Sequence, residues 1–318
     1  MFLKNDLTVF NAFKEYCSKN LNHEVVFNLD ILYKWVWDFG FNRPSPTYNK
    51  SKLKLIIKSL INSEIYMYRK YNLNKTKQVN TDILVPYMFE RFDYLDFIFP
   101  PLYDLIKQGY KVTIVTTKPI YLRYLKENMD RNINVIYFND YPNIFDYIRV
   151  KINIIKLVKD FSKIKRSLDL NLYEFIKLKE YFVRFYFEKY SFQKILNSTK
   201  PKLMYGIHYE LNRGILKAFL EYKQNNKSEN ITIQHGVFDS EYGFTEGFGS
   251  DLYILWGKYF EEVRERADMY NIMKSPPSKT IGNPKIQQLL KNHRLKISQG
   301  KCKILFVSTP KRPDRKST

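Results

Sequence analysis

From Asp82 onward the chain repeats one grammar, in which a short apolar run is followed by a helical stretch and then by another apolar run. Asp82–Tyr87, Lys111–Thr117, Asn134–Phe138, Leu203–His208, Ile231–Gly236 and Leu252–Trp256 read as strands. Leu95–Gln108, Tyr121–Asn128, Leu211–Lys223 and Lys258–Tyr270 read as the helices between them. Runs that are apolar at nearly every position need cover on both faces. Strands separated by helices of about 10–15 residues return to the same edge and pair in parallel. The fold class expected is therefore α/β, a Rossmann-like parallel sheet flanked by helices. Gly109 is expected to stop the first of these helices, and Pro100-Pro101 to break or start it.

Residues 1–80 read as a helical N-terminal region, with apolar spacing at Leu53, Ile56, Ile57, Leu60 and Ile61 and a loop at Asn42–Thr47. A long helical section from Ile144 to Leu196 interrupts the alternation. Its first turns carry an apolar stripe, Ile144, Ile148, Ile152 and Ile155, ringed by Lys151, Lys156, Lys159, Lys163, Lys165 and Arg166. Thr280–Pro284 reads as a short strand and turn, Lys285–Asn292 as a helix and Cys302–Pro310 as the opening strand of another α/β unit. The organisation expected is a helical region at 1–80, a Rossmann-like domain at 81–295, and a linker with the first strand of an incomplete domain at 296–318. One strand without partners cannot be a domain, so this last piece is expected either to add to the preceding sheet or to be the front part of something longer.

Composition narrows the function classes. With 44% apolar and 17% aromatic residues the chain can bury enough surface to order itself. The two cysteines, Cys17 and Cys302, are far apart and belong to no Cys/His cluster. That excludes a disulfide framework or structural zinc site and points to a reducing compartment. The N-terminus carries Lys4, Asp6, Lys14 and Glu15 and has no apolar signal-peptide core, and no run of about 18 apolar residues follows. A cytoplasmic protein is expected, with peripheral contact to the inner membrane face as an addition.

The net charge of +21, from 53 Lys+Arg against 32 Asp+Glu, attracts polyanions in general. An AT-rich coding sequence produces the same excess of Lys, Asn, Ile, Tyr and Phe without any anionic partner. Zinc-finger, RNP-like and basic-heptad patterns are missing, so nucleic acid is not the expected partner. The basic helix near 144–166 reads either as a solvated face or as a helix that docks on an anionic membrane surface.

Two strand ends carry the candidate chemistry. Ile231-Thr-Ile-Gln-His-Gly236 ends in Gln234, His235 and Gly236, and a loop follows with Gly243, Gly247 and Gly249. Open α/β sheets bind ligands at such carboxyl ends, and glycine lets backbone approach an anion or a sugar. Asp239, Glu241 and Glu246 in this loop are either sugar-hydroxyl ligands or solvated acids. Gly206-Ile-His-Tyr-Glu210 ends the other strand, with Asn212 and Arg213 opening the next helix. His208 or His235 suits a general base for a hydroxyl, and Glu210 suits the carboxylate that orients it. Core packing and helix capping explain the same residue types. There is no Asp-x-Asp to hold Mg²⁺, so neither metal nor other cofactor is expected.

The order of elements in 228–310 is distinctive: a strand ending His235-Gly236, a loop, Ser250–Gly257 ending Trp-Gly, a helix, Ile281-Gly-Asn-Pro284, a short helix and the strand Lys303–Val307. It resembles the mid-section of GT-B-fold bacterial surface-polysaccharide glycosyltransferases. It is similar, more distantly, to CDP-glycerol glycerophosphotransferases and UDP-N-acetylglucosamine 2-epimerases. The resemblance implies transfer of a sugar from a nucleotide-sugar donor to a glycan or lipid-linked acceptor. His235 would then be catalytic in the interdomain cleft, with His208 and Glu210 facing it. Gln234, Gly236, Asp239, Glu241, Arg213 and Asn283 would contact substrate. Nearly all of the family's donor domain lies beyond the motif's last strand, so membership and activity are separate expectations. The alternatives are a polyol-phosphate transferase or epimerase on the same scaffold, or a basic protein that binds nucleic acid or membrane without catalysis.

Overall fold

A computed structural model describes residues 78–88, 94–129, 132–156, 172–207, 213–234, 249–262 and 276–283. The expected helices at 1–80 and 285–292 and the strand at 302–310 lie outside the described residues. Seven strands form one all-parallel sheet: β1 Ile83–Tyr87, β2 Val112–Thr116, β3 Ile133–Tyr137, β4 Leu203–Gly206, β5 Glu229–Ile233, β6 Leu252–Leu255 and β7 Ser278–Thr280. Their order across the sheet is β3-β2-β1-β4-β5-β6-β7. The helices are α1 Leu95–Lys107, α2 Pro119–Asn128, α3 Ile144–Lys156, α4 Leu172–Thr199 and α5 Arg213–Asn225. The expected Rossmann-like α/β architecture is the one observed.

Every residue of β1 and β2 is buried, as parallel strands require when helices cover both faces. Side chains divide by the period of two. Ile83, Val85 and Tyr87 pack with α1 residues Ile98, Phe99 and Leu102 and with Tyr121 and Leu125 of α2. Leu84 points the other way, to Val150 and Ile154 of α3 and the Phe182–Leu196 stretch of α4. From Phe182 to Phe192 every residue of α4 but Arg184 is buried. Such a helix needs neighbours on all sides, and the sheet, α3 and α5 supply them.

Gly109 stops α1 as expected. It adopts φ +92°, its N–H reaches the Ile106 carbonyl at 2.9 Å, and the Tyr110 N–H reaches Leu105 at 3.2 Å. This reciprocal pair satisfies the carbonyls that the last turn leaves open. The proline pair behaves differently from expectation, because α1 begins at Leu95 and runs through Pro100 and Pro101. Each proline removes one helix donor. Burial of Ile98, Phe99, Leu102 and Ile106 in the sheet face outweighs that loss.

The amino edge of the sheet is knitted tightly at β1. The Asp82 carboxylate accepts the Lys111 N–H at 3.0 Å and pairs with Lys202 Nζ at 2.8 Å, while its carbonyl accepts the N–H groups of Lys202 and Leu203. One residue thus ties the entries of β2, β1 and β4. The Lys202 ammonium, then the Lys111 N–H, hold the Asp82 carboxyl below its usual range. A depressed folded-state value means stability that is present above the ordinary carboxylate range and is lost as pH falls through the folded value. Thermal melts of Asp82→Asn and the parent chain are expected to differ at neutral pH and to converge in acid. A gap that persists unchanged into acid would contradict this.

Candidate functional site

The strand order fixes where a ligand crevice can form. From β1 the chain winds outward through β2 to β3, and from β4 it winds the opposite way through β5 to β7. Connections leaving the carboxyl ends of β1 and β4 go to opposite faces, α1 to one and α5 to the other. Between them lies the topological switch point, the place where open parallel sheets take ligands.

Pro86 marks where the hydrogen-bonded pairing of β1 with β4 has ended at that place. The β1–β2 ladder continues to Tyr87↔Thr116, whereas the β1–β4 ladder ends at Leu84↔Met204. Pro86 has no N–H to donate, and the pairing of β1 with β4 stops two residues short of it. The β1–β4 pair is therefore tied at its amino edge by Asp82 and carries no ladder pair beyond Leu84, where Val85, Tyr87, Tyr205 and Ile207 stay buried. Sequence reading passed over Pro86, although a proline inside an apolar run is a visible signal.

Beside this strand pair, α1 packs on one face. Tyr205 of β4 lies with its hydroxyl 3.4 Å from the Ile98 carbonyl, and burial raises its phenol pKa. Phe97 stacks on Trp256 with centroids 5.1 Å apart and planes 19° from parallel. The Trp256 indole N–H is buried and meets no acceptor among the described residues. On the other face the N-terminus of α5 carries no acid in its first turn, and neither does that of α2. Unpaired N–H groups and the helix dipole make both ends favourable to anions.

The sequence candidates distribute as follows. Ile207 and Gln234, both fully buried, are the last described residues before His208 and His235, and each directly follows the end of one of the neighbouring strands β4 and β5. Adjacent strands lie about 4.8 Å apart. His208, Glu210, His235, Gly236, Asp239 and Glu241 themselves lie outside the described residues, as does Glu246. Gln234 braces the sheet: its Oε1 accepts the Trp256 N–H at 2.8 Å and its own N–H donates to Ile254 at 2.9 Å. Arg213 is the first residue of α5. Asn283 follows β7, three strand spacings from β4, or about 14 Å across the sheet. Its strand is thus not brought to the switch point.

Both ends of the glycine loop are anchored by β5. Asn230, Thr232 and Gln234 are fully buried on one face of the strand, alternating with Ile231 and Ile233. Asn230 donates from Nδ2 to the Gly249 carbonyl at 2.7 Å and accepts the Asp251 N–H at 3.2 Å. The Thr232 hydroxyl bonds that of Ser250. Buried polar groups of this kind require such partners. Sequence reading singles out Gln234 as a substrate contact and does not join it to Asn230 and Thr232 in this buried polar stripe.

Two further polar sites went unread. Asn143 and Asp146 cap α3 reciprocally, at 2.8 and 3.1 Å, and Asp146 also pairs with Lys194 of α4. Lys189 of α4, almost fully buried, pairs with Glu221 of α5 at 2.8 Å. Among the described residues no three His, Cys, Asp or Glu side chains cluster as metal ligands would. No described helix is long and apolar enough to cross a membrane.

The sequence matches no model of a known protein family and no curated protein.

Proposed function

We propose that the sheet is the acceptor-side domain of an enzyme that transfers a sugar from a nucleotide-sugar donor during assembly of a bacterial surface polysaccharide. One observation carries the reading. The strand order puts the switch point between β1 and β4, and the chain runs from β4 through Ile207 into His208-Tyr-Glu210 and from the next strand through Gln234 into His235-Gly236. The acid-free first turn of α5 supports a site that accepts a polar or anionic ligand.

In this reading His235 takes the proton of the acceptor hydroxyl as its oxygen bonds to the anomeric carbon. The bond from that carbon to the nucleoside diphosphate breaks, and the diphosphate leaves with the electron pair. His208 and Glu210 orient the hydroxyl and the imidazole. Gly236, Asp239 and Glu241 supply backbone and carboxylate contacts to sugar hydroxyls, and Arg213 offers a cation to an acidic glycan. Asn283 belongs to the donor side, in keeping with its distant strand.

The test uses the full chain against a panel of nucleotide sugars and surface-polysaccharide fragments, first by calorimetry and then by glycosyl transfer. Glycan binding and transfer that His235→Ala slows at least tenfold, with an unchanged circular dichroism spectrum, is the expected result. Transfer at the parental rate in that variant overturns the role of His235. Turnover of a cytidine-diphosphate polyol in place of any nucleotide sugar would move the reading to the polyol-phosphate transferases.

A further inference from the structure

Helix α3 is apolar on two sides. Its buried side, Asp146, Val150 and Ile154, packs toward α4. Its other side is open: Ile144 is 46% exposed, Phe145 68%, Ile148 46%, Ile152 46% and Ile155 69%. At about 100° per residue these five fall within one arc of about 100°, diametrically opposite the buried side. Lys151 borders the arc on one edge, and Arg149 and Lys156 border it on the other. Both shoulders rest on aromatic rings, with Arg149 4.1 Å from the centre of Tyr190 and Lys151 5.2 Å from that of Tyr147. The apolar stripe legible in the sequence is thus turned outward, and residues between its members make the core contact.

Five large apolar side chains in a single exposed row are more than scattered surface residues. We infer that this face of α3 is a docking surface for an anionic phospholipid bilayer. The row lies along a convex helix and suits shallow insertion at the acyl boundary, where flanking cations meet phosphate headgroups. The charges argue against the other occupants. A second copy of the chain would bring both sets of Arg149, Lys151 and Lys156 together on two molecules that each carry +21. Nucleic acid offers isoleucine neither a hydrogen bond nor a stacking partner. Asp146 and Asn143 fix the first turn of the helix, and the Asp146–Lys194 pair holds it to α4. The face is therefore presented by a rigid element. This inference stands apart from the sugar-transfer reading and survives its failure.

The test is co-sedimentation of the full chain with vesicles of phosphatidylcholine alone and of phosphatidylcholine mixed with phosphatidylglycerol. The parent is expected to bind the mixed vesicles and to bind the neutral ones much more weakly. Ile148→Asn combined with Ile152→Asn alters only exposed side chains and is expected to reduce partitioning at least tenfold. Lys151→Glu with Lys156→Glu keeps the apolar row and is expected to weaken binding to the anionic vesicles selectively. Phe145→Trp should add an emission, relative to the parent, that shifts to the blue when the mixed vesicles are added. The inference is overturned by any of four results: no sedimentation with the mixed vesicles, undiminished binding of the isoleucine double variant, an added emission in Phe145→Trp that is already blue-shifted before lipid, or a parental dimer that the isoleucine double variant makes monomeric.

Discussion

Gly214→Ala is expected to destabilise the protein by about 3 kcal/mol, although helix propensity alone predicts a gain. Replacing glycine by alanine inside a helix is worth about 1 kcal/mol of stabilisation in an open setting. Gly214, in the first turn of α5, is not in an open setting. A Cβ there would lie 2.3 Å from the Phe185 carbonyl oxygen, 2.7 Å from Glu188 Cβ and 2.9 Å from the Lys189 nitrogen, all on α4. Two of these atoms are backbone and cannot rotate away, so the penalty is about 4 kcal/mol, beyond the usual overpacking range. The steric term wins, and the sign of the change reports it. Urea denaturation should show a lowered midpoint with the slope retained. An unchanged or raised midpoint would mean that α4 and α5 do not approach this closely.

A second large effect is expected at the same seam. Glu221→Leu removes the carboxylate that faces Lys189 at 2.8 Å, and Lys189 is only 5% exposed. Lys189 is almost fully buried while the Glu221 side chain is 28% exposed and also faces Lys217 at 3.5 Å, so losing the carboxylate costs about 2 kcal/mol as the Lys189 charge stays desolvated. Gln193, which donates to Glu221 at 2.7 Å, loses its acceptor as well. Adding Lys189→Met should recover all but about 1 kcal/mol, since two apolar groups of similar volume replace a pair that barely offsets its own desolvation. A double variant no more stable than Glu221→Leu would show that Lys189 carries a role other than answering Glu221.

These two sites show how far sequence reading extends. Most strand positions were legible to within about two residues because nearly unbroken apolar runs bounded by polar residues leave few alternatives. However, β5 ends at Ile233, three residues before the expected Gly236, and β7 ends at Thr280, where the expected strand begins. Gly109 was legible as a stop, since a left-handed residue after a helix is a local requirement. Gly214 was not, because its constraint comes from α4, whose packing partner no local pattern specifies. The stripe on α3 was visible as a stripe, but periodicity does not say which of two apolar sides meets the core. Val150 and Ile154 packed inward, and the longer row was left outside. The strand-end residues around His208 and His235 were legible as candidates because polar groups follow apolar strands there. That their strands are neighbours, and that Asn283 follows a strand three places from β4, depended on strand order.

The sequence alone determined the parallel α/β class, the place of most described strands and the basic composition, since each follows from local composition and period. Tertiary structure decided the strand order, the end of β1–β4 pairing before Pro86, the contact of Gly214 with α4 and the outward side of α3. All four are set by which elements become neighbours, and that depends on burial summed over the whole sheet, which no single segment encodes.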